Sequence, residues 1–158
     1  MAGLAGGRKG ITEMKPVRVK CLRPNAVLPT YGSPEAAGAD LYASLEQTVV
    51  IAPGQTVFVP TGLAMELPVG YAGLVHARSG LASKRGLAPA NKVGVIDSDY
   101  RGEITVALHN HGSIAQEINP GDRIAQLLIM PVLTPGFEAV EELTDTCRGT
   151  GGFGSTGK

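Results

Sequence analysis

Proline and glycine interrupt this chain so often that no long regular element can form. Pro29, Pro34, Pro53-Gly54, Pro60, Pro68-Val69-Gly70, Pro89, Pro120-Gly121 and Pro135-Gly136 fall at short intervals. Proline removes a backbone donor, and glycine opens left-handed conformations that end strands and helices. Between the breaks lie short β-type runs. Val17 to Leu22 alternates, Thr48 to Ile51 and Thr56 to Val59 are β-branched, Tyr71 to His76 and Ile104 to His109 follow, and Ile124 to Met130 is strongly apolar. Many short strands with little helical periodicity predict an all-β sandwich or jelly roll. One short helix is expected, with Ser79 as its cap, Leu81 to Arg85 as its body and Gly86 as its stop.

The length of 158 residues suits one domain that buries roughly two-thirds of its unfolded surface. We divide it into a flexible extension over residues 1–14, a β-core over 15–135, and a C-terminal strand with a glycine-rich arm over 136–158. Lys and Arg together balance Asp and Glu, giving a formal net charge of zero. Bulk attraction to nucleic acid or to an anionic membrane is therefore not expected, and a polyanionic ligand would need a local basic site. No apolar run approaches the roughly 18 residues of a membrane span. Cys21 and Cys147 are far apart and in no metal-binding spacing, which reads as two free thiols in a reducing cytoplasm; a disulfide is the open alternative. The first 14 residues lack the apolar stretch of a signal peptide, and an organelle-targeting remnant is the minor alternative to a plain extension.

The densest chemistry lies in Gly94-Val95-Ile96-Asp97-Ser98-Asp99-Tyr100-Arg101-Gly102. Two acids, a tyrosine and an arginine occupy a turn between the apolar runs Val93 to Ile96 and Ile104 to Leu108. Ile104, Val106 and Leu108 alternate with Glu103, Thr105 and Ala107, as in a half-buried strand. This pattern predicts a β-hairpin with charge at its tip. Asp97, beside Val95 and Ile96, is read as a partly desolvated carboxylate able to act as a base, and Asp99 as a turn residue. Elsewhere, Asp40 sits among Ala37, Ala39 and Leu41, a costly place for an acid without a partner. A bound cation is one such partner, and a structural salt bridge is the other. Gln126 shares a strand face with Ile124 and Leu128, whereas Asp122 and Arg123 read as a locally paired scaffold.

The last stretch, Arg148 to Lys158, holds five glycines around Phe153 and cannot build a core. Gly152 with Gly157-Lys158 mimics a phosphate-binding loop, but the required Ser or Thr and the following helix are missing. His76, His109 and His111 do not read as a zinc site, because His109 and His111 could share a strand face but no third ligand or cysteine pair accompanies them.

Five segments in order resemble the signature segments of the trimeric dUTPases: Ala37-Gly38-Ala39-Asp40-Leu41, Arg78-Ser79-Gly80-Leu81-Ala82, Gly94 to Gly102, Gly121-Asp122-Arg123-Ile124-Ala125-Gln126, and Arg148 to Ser155. The resemblance implies a jelly-roll homotrimer that hydrolyses dUTP to dUMP and pyrophosphate with Mg²⁺, by water attack on the α-phosphorus. It makes Asp97 the base, and Tyr100 the ring beneath the deoxyribose that excludes a 2′-hydroxyl. Asn91 becomes the amide for the mixed donor and acceptor edge of uracil. Arg78, Ser79, Gly80 and Gln126 would meet phosphates or the waters of the metal, and Asp40 would reach the metal through water. Arg148, Phe153, Gly154 and Ser155 would close as a lid, with the arginine on the γ-phosphate and the ring on the base. The segment before Arg78 departs from the family, which often has proline where this chain has Ala77. Two rival readings are a dCTP deaminase of the same fold and an inactive, dUTPase-like nucleotide-binding regulator. The first needs a further acid near the base, yet none lies between Ala82 and Gly94.

Overall fold

The computed structural model describes residues 16–152. The predicted extension 1–14 and the tail residues Phe153, Gly154 and Ser155 lie outside the described residues. In chain order the elements are β1 (Arg18–Cys21), β2 (Thr30–Tyr31), β3 (Ala39–Tyr42), β4 (Val49–Ile51), β5 (Thr56–Pro60), β6 (Leu63–Glu66), β7 (Tyr71–His76), α1 (Ser79–Arg85), β8 (Leu87–Pro89), β9 (Gly94–Ile96), β10 (Thr105–Asn110), β11 (Gln116–Ile118) and β12 (Arg123–Pro131). Every strand expected from the β-branched runs is present. The all-β expectation holds, with one two-turn helix.

The strands form a five-stranded sheet in the order β2-β3-β12-β7-β9, a three-stranded sheet β5-β10-β8, and the pairs β1-β6 and β11-β4, with every neighbouring pair antiparallel. Alternation sets which side chains meet between them. On β10, Val106 and Leu108 are buried while Thr105 is exposed, and Ile104 just before the strand is also buried. From the other sheet, Leu41, Val75, Ala125 and Leu127 turn inward. The core is almost wholly aliphatic, with Leu41, Ile51, Leu63, Leu87, Leu108 and Ile118 fully covered. Burying one such side chain contributes about 1.5 to 3 kcal/mol.

Two buried polar residues tie strand ends together. Asn110 Nδ2 donates to the carbonyls of Ile51 at 2.9 Å and Ile114 at 2.8 Å, and its Oδ1 accepts from Gly112 N at 2.9 Å. Thr61 Oγ1 donates to Ile104 O at 2.6 Å and accepts from Leu63 N at 3.3 Å. No buried side-chain polar atom is left without a partner among the described residues, as a dry core requires.

The expected hairpin is corrected. β9 pairs with β7, in the register Gly73↔Ile96 and Val75↔Gly94, whereas β10 pairs with β5 and β8. The two apolar runs therefore belong to different sheets, and the charged segment is a crossing between them. Ile96 and Ile104 both point into the core, so each run is drawn to the sheet that buries its own side chains.

The helix cap lies one residue earlier than expected. Arg78, extended at φ −79 and ψ 130, is the N-cap and makes no side-chain cap hydrogen bond. Ser79 is thus the first helical residue and not the cap. Lys84 and Arg85 complement the negative end of the helix dipole, and Gly86 ends it at φ 65. After β12 the chain forms no further strand among the described residues, so the C-terminal strand expected from 136 onward is absent from the single chain. Leu133, Phe137 and Leu143 there are 94%, 101% and 87% exposed.

Candidate active site

The crossing from β9 to β10 folds over a cleft of about 380 Å³. Asn91, Asp97 and Tyr100 all line it, with Val75, Pro89 and Ala107 among the apolar walls. The sequence singled out these three residues, and the fold brings them together. A turn places Asp97 and Tyr100, since Tyr100 N donates to Asp97 O at 3.1 Å across Ser98 and Asp99, while Asn91 enters from before β9. Asp99 is therefore the turn residue it was expected to be. Arg101 Nη1 donates to Ser98 O at 2.8 Å and Tyr100 O at 3.0 Å, bracing the same turn from outside.

Tyr100 lies back across Gly102, and its hydroxyl donates to Glu103 O at 3.0 Å. A Cβ at Gly102 would overlap the phenol end of Tyr100, so a larger residue there would displace the ring. Gly94 is also closely packed. A Cβ on it would come 3.3 Å from Val75 Cβ and 3.4 Å from Asn91 Nδ2, so its bare backbone leaves the amide of Asn91 its place at the cleft wall. The Asn91 side chain makes no hydrogen bond among the described residues.

Asp97 is exposed in the single chain, and the desolvation expected from its neighbours is not supplied by them. Ile96 is buried in the core and Val95 is 65% exposed, so neither side chain covers the carboxylate.

A second cluster forms on β3 and β12. Asp40, 4% exposed, accepts from Arg78 Nε at 2.7 Å on one oxygen and from Arg123 Nη1 at 3.2 Å on the other. The structure shows the salt bridge, one of the two partners weighed for this acid. Arg123 accordingly pairs with Asp40 and not with its neighbour, because Asp122 Oδ2 instead accepts from Asn119 N at 2.8 Å. The pairing could have been anticipated from an unpartnered acid and two arginines in short signature segments, but the register linking them was not legible. Gln126 stands opposite Asp40 on one side and opposite His76 on the other, on the face of the sheet turned away from the core. Ser79 and Gly80 are exposed at the start of α1. Arg148, on the C-terminal stretch, donates from Nε to Gly151 O at 2.8 Å within its own turn. The single chain therefore presents three groups of candidate residues without uniting them.

No grouping of three or more His, Cys, Asp and Glu suited to a metal occurs among the described residues. Cys21 and Cys147 are both exposed and unpaired. No helix is long and apolar enough to cross a membrane among the described residues.

A small all-β protein with an asparagine, an aspartate and a tyrosine on one cleft, and two arginines on a buried acid elsewhere, has the makings of a nucleotide-binding enzyme. The comparisons specify which. The dUTPase family model matches residues 24–157. The deoxyuridine 5'-triphosphate nucleotidohydrolase of Desulfitobacterium hafniense strain DSM 10664 / DCB-2 is 60% identical over 131 residues, covering 82% of this chain and 87% of that protein. The protein of the same name from Syntrophotalea carbinolica is 52% identical over 141 residues, covering 89% and 96%. Among solved structures, the Staphylococcus bacteriophage 80alpha dUTPase with dUPNHPP superposes with a TM-score of 0.84 at 31% identity, covering 92% of this chain and all of that one. A mutant dUTPase from phage phi11, described for its coordination of a structural Mg(II) ion, gives 0.73 at 30% identity over 81% of this chain and 98% of that one. The chain belongs to the dUTPase family.

Proposed function

We propose that the protein is a dUTP diphosphatase, hydrolysing dUTP to dUMP and pyrophosphate. Family membership supports the activity, and the observation that carries the site is the convergence of Asn91, Asp97 and Tyr100 on one cleft. Asn91 offers a donor and an acceptor to the uracil edge. The Tyr100 ring, held by Gly102 and Glu103, fills the space a 2′-hydroxyl would need. Asp97 positions and deprotonates the water that attacks the α-phosphorus, a role that contributes about 10² to 10⁴ in rate. Its exposure in the single chain means that bound nucleotide and neighbouring chain must exclude bulk water.

Arg78 supplies phosphate contacts. Asp40 fixes its Nε and leaves the two terminal nitrogens without a partner among the described residues, donors of a kind suited to phosphate oxygens. Ser79, Gly80 and Gln126 add polar groups around it, and the arm with Arg148, Phe153, Gly154 and Ser155 closes the site. Mg²⁺, when bound to the triphosphate, neutralises its charge. The donor set fits a metal carried mainly by substrate oxygens and water, since both oxygens of Asp40 already meet guanidiniums.

We further propose a homotrimer in which neighbouring chains complete each site. Two features support it. Leu74, Leu128 and Val95 meet in cross-strand register on the outer face of the five-stranded sheet, beside Met130, and the C-terminal stretch carries Leu133, Phe137 and Leu143 into solvent. Apolar area of this extent marks a contact with another chain. The acting compartment is proposed to be the cytoplasm.

Release of pyrophosphate from dUTP, dCTP and UTP in the presence of Mg²⁺ tests the activity. Turnover of dUTP far above the other two supports it. Release of ammonia from dCTP would favour the deaminase, and binding without turnover would favour an inactive regulator. In water labelled with heavy oxygen, the label should appear in dUMP and not in pyrophosphate; the reverse would place the attack on the wrong phosphorus.

A further inference from the structure

We infer that Lys92 is a positioning residue for the base-recognition amide of Asn91, acting through its own backbone conformation. This rests on the reading of the cleft as the deoxyuridine site. Lys92 has φ 66 and is the one non-glycine residue with positive φ among the described residues. Such a conformation brings Cβ close to the following carbonyl, and for side-chain-bearing residues it persists only where the surroundings enforce it.

The surroundings are specific. Ala90 N donates to Ala107 O at 2.8 Å, Lys92 N donates to Pro89 O at 3.0 Å, and Val93 N donates to Asn91 O at 2.7 Å. The last bond spans only three residues, with Lys92 at the centre, and with φ 66 there the turn has the rare, strained hand and not the common inverse one. Its effect is directional. Asn91 and Gly94 line the cleft, while Lys92 and Val93 between them do not. The turn thus folds the chain so that its first and fourth positions face inward, with Asn91 Nδ2 lying over the bare face of Gly94. It also uses the main-chain carbonyl of Asn91, so the side-chain amide is the group left for the ligand. A relaxed backbone at position 92 would straighten the turn and swing that amide away from the wall. Lys92 is exposed and lies outside the buried core, so the core does not depend on it.

The test compares Lys92→Val with Lys92→Gly and Lys92→Asn in the full chain, with the wild type as control. A β-branched residue is a genuine outlier at positive φ, glycine adopts it freely, and asparagine tolerates it. Lys92→Val should raise KM for dUTP roughly 5- to 30-fold, change kcat far less, and reduce the preference for dUTP over dCTP. Glycine and asparagine should restore both KM and the preference, although neither carries the lysine charge. Three results would overturn the inference: wild-type KM and preference in Lys92→Val, equal damage in all three variants, or a loss confined to kcat. If Lys92→Val loses its fold by circular dichroism, an intact Lys92→Gly with raised KM also overturns it, and one with wild-type KM upholds it. A wild type that leaves dUTP untouched would instead sink the assignment of the cleft, so the two failures are distinct.

Discussion

Asp40→Asn separates two roles for one buried acid. In the structure the carboxylate holds Arg78 Nε at 2.7 Å and Arg123 Nη1 at 3.2 Å, and only 6% of its side chain reaches solvent. Removing one partner of a fully buried ion pair costs about 3 to 5 kcal/mol. Here the arginine side chains are 22% and 51% exposed, so both can recover some water when the acid is neutralised. Asparagine also keeps one acceptor. The expected loss is therefore nearer that of one charge-assisted hydrogen bond, about 2 to 3 kcal/mol. With a urea dependence of about 1 to 3 kcal/mol per molar, the unfolding midpoint should fall by roughly 1 M. Chain concentration must be held constant, because unfolding of the proposed trimer would be coupled to dissociation. Turnover should fall as well, since Arg78 loses the contact that aims it, and excess Mg²⁺ should not restore it. If the midpoint stayed put and activity returned at higher Mg²⁺, Asp40 would be serving the metal, and the ion-pair account would be wrong.

Gly102→Ala should push the Tyr100 ring from its seat, raising KM for dUTP and narrowing its advantage over UTP; kinetics unchanged for both nucleotides would show that the ring position does not matter. Tyr100→Ala should narrow the same discrimination directly, whereas Tyr100→Phe should keep it and lose only the loop hydrogen bond to Glu103 O, about 0.5 to 1.5 kcal/mol. Deleting residues 148–158 should leave a folded protein that barely turns over, and a large drop in melting temperature would instead make the tail structural. Joint refolding of Asp97→Asn with that deletion should recover about a quarter of normal activity, since three-quarters of random trimers are mixed and each holds one site in three with both parts intact. Recovery of none would place the tail over its own chain's cleft.

How much of this was legible in the sequence differs from element to element. The strands with alternating or β-branched runs were readable, because their side chains state which face is buried; Tyr71 to His76 coincides with β7. β3 and β8 were not, since Ala39–Tyr42 and Leu87–Pro89 are too short to show a period. The pairing of Val93 to Ile96 with Ile104 to Leu108 failed for a related reason. Local pattern identifies strands, but the choice between β7 and β10 as partner depends on where Ile96 and Ile104 find cover. The cleft residues were readable because Asn91, Asp97 and Tyr100 lie within ten positions of one another, just before and just after β9. The union of Asp40 with Arg78 and Arg123 is long-range, and no spacing announces it. The positive φ of Lys92 was invisible as well, since lysine gives no hint of a left-handed turn.

The central claim is that Asp97, at the cleft of Asn91 and Tyr100, is the base for dUTP hydrolysis. Measuring kcat and dUTP affinity of Asp97→Asn beside the wild type tests it most directly, because a base acts on the transition state more than on the bound substrate. We predict that kcat falls by about 10² to 10⁴ while affinity stays within a few-fold. A near-normal kcat, or a loss of binding as large as the loss of rate, would contradict the assignment.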